Sequence, residues 1–444
     1  MAVRPSRRTF LKAAGAGVAM PFIFPRLSLA TSANGTLQHA SIGVGGMGKS
    51  DLDALRSQKN IEIVAICDVD ENNLKAAAEL APNARRYRDW RELLETEGDK
   101  IDSVNVSTPD SMHAPITMSA LNKGKHVYCQ KPLTHDVYEA RQIAQAAKKA
   151  GVVTQMGNQI HSHEAYRMAW RLVRDGAIGK IKEWHSWCGA PACPQGLPRP
   201  EGADPVPATL DWDKWIGVAP ERPFKADVYH PFKWRAWKDF GCGAIGDFLC
   251  HIYDPVFMGI QPGPVLSLTV EVDGVYEECW PNWEIVHYEM AGSPMTVDAT
   301  IKATWSDGGK QPDFSVVKLP DGYKIPGTGS LLLGEGGAML IPHWSDPLLL
   351  PEDNFKNFKR PDIGPRQDHY RTFVKACLGE GETTSHFGYA GPLTEVAQLG
   401  NIGNQFPGVT LNWDAEKMAF TNHDAANALL KRTYREGWQV EGLS

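Results

Sequence analysis

Apolar and polar positions change rhythm twice along the chain. From residue 34 to 157, short apolar runs alternate with amphipathic stretches. Gln38 to Val44 reads as a strand entering a glycine-rich turn, and Met47 to Ser57 as the helix after it. Ile61-Glu62-Ile63-Val64-Ala65-Ile66-Cys67 is a near-continuous apolar run ending at Asp68. That is the pattern of a strand buried on both faces. Glu71 to Leu80 has helical spacing, and Ser103 to Ser107 is another strand, closed by Thr108-Pro109. A helix at 116–123, a strand at 126–129, a helix at 137–150 stopped by Gly151, and a strand at 152–156 follow. This alternation predicts a doubly wound parallel sheet.

The rhythm then breaks. Residues 189–240 are rich in Pro, Trp and charge, with little periodicity. An irregular segment this long inside a compact domain is usually functional. Strand-like runs return at 265–272, 283–290, 295–304 and 338–341, predicting a second, mostly antiparallel sheet. Residues 366–378 and 391–404 read as helices. The expected fold is α/β, with segments 1–33, 34–157 and 158–444.

The first segment is set apart by charge. Ser6-Arg7-Arg8-Thr9-Phe10-Leu11-Lys12 followed by the apolar run Ala13 to Phe24 reads as a twin-arginine export signal, to be left out of fold reasoning. The run is too short for a permanent transmembrane helix, and small residues suit cleavage after Ala30 or Ala33. The reading is a periplasmic protein carried folded by the twin-arginine translocase. About 410 residues then remain, enough for two domains. The segment holds five basic residues and no acid, so its removal takes the net charge from −6 down by five to −11. That balance argues against nucleic acid or anionic membrane as a partner. The eight cysteines include no CxxC pair and read as small buried apolar residues.

Three constellations carry chemistry. Gly43-Val44-Gly45-Gly46-Met47-Gly48 follows a strand and opens a helix, and Asp68 ends the next strand 20 residues past Gly48. Gly43 permits a tight turn, Gly45 a close approach to pyrophosphate and Gly48 close helix packing. Helix N–H groups would face the phosphates. A carboxylate at Asp68 would bond the adenosine ribose and repel a 2′-phosphate, favouring NAD over NADP. Second, Gln130-Lys131-Pro132 ends a strand on the edge where such sheets bind ligands, presenting an ammonium. Third, Asp247 and His251 lie four apart after a run of glycines, so on a helix they share a face. A His beside a carboxylate suits a general base with its orienting partner, a locally satisfied core His, or half of a metal site. Cys188, Cys193, His161, His163 and His251 match no familiar metal spacing, and no metal is expected.

Together, the glycine loop, Val106-Ser107-Thr108-Pro109 with His113, Lys131-Pro132 and Gly243…Asp247…His251 resemble the glucose–fructose oxidoreductase/inositol dehydrogenase (Gfo/Idh/MocA) family. The resemblance implies an N-terminal Rossmann domain and a C-terminal α/β domain whose open sheet carries the substrate site and often an oligomer interface. It implies an NAD-dependent oxidoreductase acting on a hydroxyl of a sugar, sugar derivative or polyol. His251 would take the hydroxyl proton, Lys131 stabilise the alkoxide, and Asp247 orient His251 or the hydroxyl. Gly43 to Gly48, Asp68, Ser107, Thr108, Pro109, His113, Gln130 and Lys131 would line the cofactor. The family usually has Glu where this chain has Gln130.

The middle segment points to the substrate. With the residues just before it, it holds Trp184, Trp187, Trp212, Trp215, Trp234 and Trp237, rings on which sugars can stack. His161, His230, Trp234 and Arg235 are the candidate substrate contacts. A second function fits the same residues: an NAD-dependent glycosidase working by transient oxidation and elimination, with His161 or His230 as the extra acid. A third is a non-catalytic sugar-binding protein.

Overall fold

The computed structural model describes residues 35–444, so the twin-arginine motif and the 1–33 segment lie outside it. Strands β1 (Leu37–Ile42), β2 (Ile61–Cys67), β3 (Arg85–Tyr87), β4 (Ser103–Val106), β5 (His126–Gln130) and β6 (Thr154–Gly157) form one parallel sheet in the order β3-β2-β1-β4-β5-β6. Between them run helices α1 (Gly46–Arg56), α2 (Glu71–Leu80), α3 (Trp90–Glu97), α4 (His113–Asn122) and α5 (Val137–Ala150). β4 and β5 are buried at every position, as strands covered on both faces must be. The chain moves outward from β1 to β3 and returns to the far side of β1 at β4. The crevice beyond the carboxyl ends of β1 and β4 is therefore the switch point of the sheet. Helix α5 shows its local cause plainly: Asp136 and Glu139 make a reciprocal capping box, and Gly151 ends it at φ +65°.

After α6 (Glu164–Arg174), nine strands form the second sheet, in the order β13-β12-β11-β7-β10-β9-β8-β14-β15. They are β7 (Ile181–Trp187), β8 (Val265–Val272), β9 (Glu284–Ala291), β10 (Thr300–Ser306), β11 (Gly329–Gly334), β12 (Ala338–Pro342), β13 (Leu348–Leu350), β14 (Leu411–Asp414) and β15 (Ala419–Phe420). Every pairing is antiparallel except β7 with β10. In β9 buried and less buried positions alternate, so one face is covered and one open. Helices α7 (Gly243–Ile252), α8 (Asp254–Ile260), α9 (His369–Cys377) and α10 (Phe387–Gly403) complete the fold.

The irregular 189–240 stretch is organised by its own core of Trp215, Tyr229, Trp234, Trp237 and Phe240. The tail returns to the first sheet's helices. The Tyr434 hydroxyl donates to Glu139 at 2.7 Å, the Arg432 backbone N–H to Asp136 at 3.0 Å, and Arg91 stacks over Trp438 at 4.1 Å. All eight cysteines are buried and unpaired.

Candidate functional site

The glycine loop is shaped by backbone crowding. Gly43 has φ +78°, and a Cβ there would lie 2.6 Å from the Ser107 carbonyl oxygen, so the turn after β1 packs directly on the end of β4. A Cβ on Gly48 would collide with the Gly43 carbonyl, holding α1 close to the strand it follows. Around Gly46 the space is open, with no atom within 4 Å of an added Cβ. No side chain caps α1 and its first turn holds no acid, so its N–H groups and dipole face that space uncompensated. Asp68 accepts from the Val44 N–H at 2.9 Å, the Asp70 N–H at 2.9 Å and Asn73 Nδ2 at 3.2 Å. A carboxylate has about four acceptor positions, so one remains. Burial pushes the Asp68 carboxyl up, and these donors oppose the shift. Thr108 Oγ1 is buried without a partner among the described residues. An uncapped helix start, a cradle no side chain fills, an acid at the ribose position and an orphaned hydroxyl fit a dinucleotide.

Lys131 leaves the end of β5 at a cis peptide to Pro132. Its ammonium donates to the Asp247 backbone oxygen at 3.0 Å and to Asp247 Oδ1. An ammonium has three donors, so one remains for a ligand. Arg235 Nε lies 3.6 Å from the same Oδ1. Its placement follows from Gly241, where a Cβ would sit 2.5 Å from Arg235 Cα. The guanidinium lies over the rings of Trp234 at 4.2 Å and Phe232 at 4.4 Å. Burial would raise the Asp247 carboxyl, but Lys131 and Arg235 outweigh it and hold it below the usual carboxylate range. Asp110, whose carboxylate accepts from the Cys242 N–H at 3.0 Å, is pushed by burial up to about 7.

His251 shares helix α7 with Asp247, but no hydrogen bond joins them among the described residues. Asp247 Oδ1 faces both Lys131 and Arg235, so this oxygen anchors the ammonium rather than the imidazole. His251 Nδ1 is buried without a hydrogen-bond partner among the described residues. Burial, then the Lys131 and His343 charges, drive its pKa well below the ordinary histidine range, against the pull of Asp247. The ring is neutral at neutral pH.

Four expectations need correction. His113 is buried, with its ring nitrogens 2.7 Å from the Pro132 oxygen and 3.0 Å from the Thr108 oxygen. It ties the two turns together, with both ring nitrogens taken by backbone oxygens. Gln130 is likewise buried, and donates to both Asp51 oxygens at 3.0 and 2.9 Å. His161 sits 2.9 Å from Asp254 and 2.8 Å from Thr384 Oγ1, inside a polar core. His230 bonds Asp70 Oδ2 at 3.0 Å and lies near enough to Asp68 to oppose the burial that pushes its carboxyl up. The tryptophans of the middle segment are also mostly core: Trp184, Trp187, Trp215, Trp234 and Trp237 are all buried. Trp234 serves as the floor under Arg235. The sequence reading missed Asp110, Asp51, His343 and Trp344. Of these, only Asp110 carried a signal, directly after Thr108-Pro109.

Comparison with known proteins agrees with this architecture. The sequence model "Oxidoreductase family, NAD-binding Rossmann fold" of Gfo/Idh/MocA matches residues 37–158, and its partner "Oxidoreductase family, C-terminal alpha/beta domain" matches residues 196–300. A D-apiose dehydrogenase of Paraburkholderia graminis is 32% identical over 153 residues, 34% of this chain and 40% of that protein. A glycosyl hydrolase family 109 protein of a Shewanella species is 30% identical over 149 residues, 32% of each. These matches span less than half the length of either relative. The WlbA dehydrogenase of Bordetella pertussis, solved with NADH and UDP-GlcNAcA, superposes with a TM-score of 0.60 at 16% identity, over 85% of this chain and 99% of that one. The paired family matches, on the two sheets and around the Lys131 and His251 site just described, show that the chain belongs to the Gfo/Idh/MocA family of oxidoreductases.

Proposed function

We propose that the protein is an NAD-dependent oxidoreductase acting on a hydroxyl of a sugar, sugar derivative or polyol. One observation carries the reading: the Lys131 ammonium, pinned to Asp247 with one donor left, stands in one site with a neutral His251 whose Nδ1 has no hydrogen-bond partner among the described residues. The third Lys131 N–H bonds the substrate oxygen and stabilises the negative charge that grows there. The His251 imidazole receives the hydroxyl proton. Arg235 and Asp247 keep Lys131 in place, and the buried walls exclude water. Bound NAD supplies the hydride acceptor. Export of the folded, cofactor-loaded protein to the periplasm and assembly into a homo-oligomer belong to the same proposal. The motif Ser6 to Lys12 supports the export.

Glycoside cleavage by transient oxidation uses the same Lys131 and His251, and the similarity to a glycosyl hydrolase supports it. It also needs an acid at the leaving group, and both histidines considered for that role are committed to Asp254 and Asp70. Net oxidation is therefore the better reading. The test is to denature purified protein, identify released nucleotide, and add a panel of sugars and polyols to native protein. Bound NAD that becomes lastingly reduced supports the dehydrogenase. Turnover without lasting reduction supports the glycosidase, and neither nucleotide nor turnover removes both.

A further inference from the structure

A line of rings leads outward from His251. The His251 and His343 ring centroids lie 6.1 Å apart, and His343 lies 5.5 Å from Trp344. Trp344 also meets His163 edge-on at 5.3 Å. The two histidines are held from elsewhere in the fold. His343 Nδ1 is 2.7 Å from the Tyr166 hydroxyl, and His163 Nδ1 caps α6 by accepting the Ala165 N–H at 3.2 Å.

Trp344 itself is held differently. It is 56% exposed, and none of the other 13 tryptophans is as open to solvent. Its backbone has φ +67°, in the left-handed region that bulky side chains rarely enter. A large ring that gains little from burial does not repay that strain by packing. Strain of this kind collects at ligand sites, where it presents a group in advance. An indole face offers an apolar plane to the C–H face of a pyranose or to a flat aromatic group, and the flanking imidazoles offer hydrogen bonds to hydroxyls.

We propose that Trp344, with His163 and His343 at its edges, is a stacking subsite for the part of a glycoside beyond the sugar presented to Lys131 and His251. The inference rests on the proposed function and sharpens it: the substrate is a glycoside rather than a free monosaccharide. The ring stacked on Trp344 is a second sugar or an aryl aglycone. The buried tryptophans of the middle segment cannot take this part, since their faces are closed by packing.

The test is calorimetric titration of the full-length protein with free hexoses and N-acetylhexosamines, and with their phenyl glycosides and disaccharides. Wild type is expected to bind at least one glycoside about tenfold more tightly than its parent sugar. Trp344→Ala should erase that preference and leave free-sugar affinity and thermal stability unchanged, while Trp344→Phe keeps most of it. Preference for disaccharides over phenyl glycosides assigns the subsite to a sugar ring, and the reverse to an aglycone. Equal wild-type affinity for free sugars and glycosides overturns the inference, as does Trp344→Ala weakening all ligands alike. If wild type binds none of them, the carbohydrate reading of the whole site fails. That result is distinct from one in which sugars bind and Trp344 makes no difference.

Discussion

At the scale of single residues, Gln130 shows why a one-residue departure from a family pattern needs its surroundings. Asp51 lies fully buried on α1 and accepts from Ser107 Oγ at 2.6 Å, Gln130 Nε2 at 2.9 Å and the Tyr370 hydroxyl at 2.8 Å. An amide at 130 is the complement of that carboxylate, and a glutamate would set two acids against each other. Gln130→Glu is therefore expected to cost roughly 3–5 kcal/mol of stability, the scale of an uncompensated buried charge. Asp51→Asn in the same chain should restore most of it, because the amide then placed on α1 can donate to the carboxylate introduced on β5. Urea unfolding of the two single variants and the double variant measures this coupling. Additive losses would mean that the two side chains do not interact. None of this was legible beforehand, since Asp51 and Gln130 are 79 residues apart and no local pattern joins them.

At the scale of elements, most of the first sheet could be read from the chain. The apolar runs at 61–67 and 137–150 match β2 and α5 because a parallel strand and a capped helix carry their own signals. β3 and α3 were not anticipated: β3 is three residues, two of them exposed arginines, too short for any period. In the second sheet β7 was missed because Ile181-Lys182-Glu183-Trp184-His185-Ser186-Trp187 does not alternate: two exposed residues follow Ile181, and the burial of the rest keeps no period of two. The tryptophan-rich stretch misled for a related reason: density of aromatic residues does not tell a packed core from a binding face.

The glycine loop makes a prediction at this scale. Gly48→Ala drives a methyl group into the Gly43 carbonyl, so it should abolish nucleotide binding while the sheet still folds. Gly46→Ala meets no atom but holds φ +46°, so it should cost only about 1–2 kcal/mol, the penalty of the left-handed region. Titration of each variant with NAD separates them, and equal losses would contradict the crowding argument.

Across the whole molecule, contacts distant in sequence join the parts that make the site. Tyr370 from α9 reaches Asp51, His230 from the irregular segment reaches Asp70, and the tail covers Glu139. Stability also depends on a buried acid pair at one end of the second sheet. Burial, then the neighbouring Asp307, push Glu284 far above the ordinary carboxyl range, and burial pushes Asp307 up to about 7. A raised folded pKa means the proton's stabilising effect is complete below the unfolded value and is lost as pH rises through the folded one. The protein should therefore lose stability from this pair as pH climbs above about 4 towards 7 and beyond. Glu284→Gln keeps a donor for Asp307 and an acceptor for Asn404 without titrating. Its melting temperature relative to wild type should rise with pH, and a constant difference would contradict a raised carboxyl at Glu284.

On the proposed function, Lys131, held by Asp247 beside His251, makes this fold an oxidoreductase. The most direct measurement compares wild type with Lys131→Met for NAD affinity by calorimetry and for the near-ultraviolet absorbance of reduced nicotinamide on addition of the sugar panel. Lys131→Met should bind NAD within about threefold of wild type and reduce it about a hundredfold to a thousandfold more slowly, the scale of one lost charge-stabilising donor. If Lys131→Met reduced NAD as fast as wild type, the site would be misassigned.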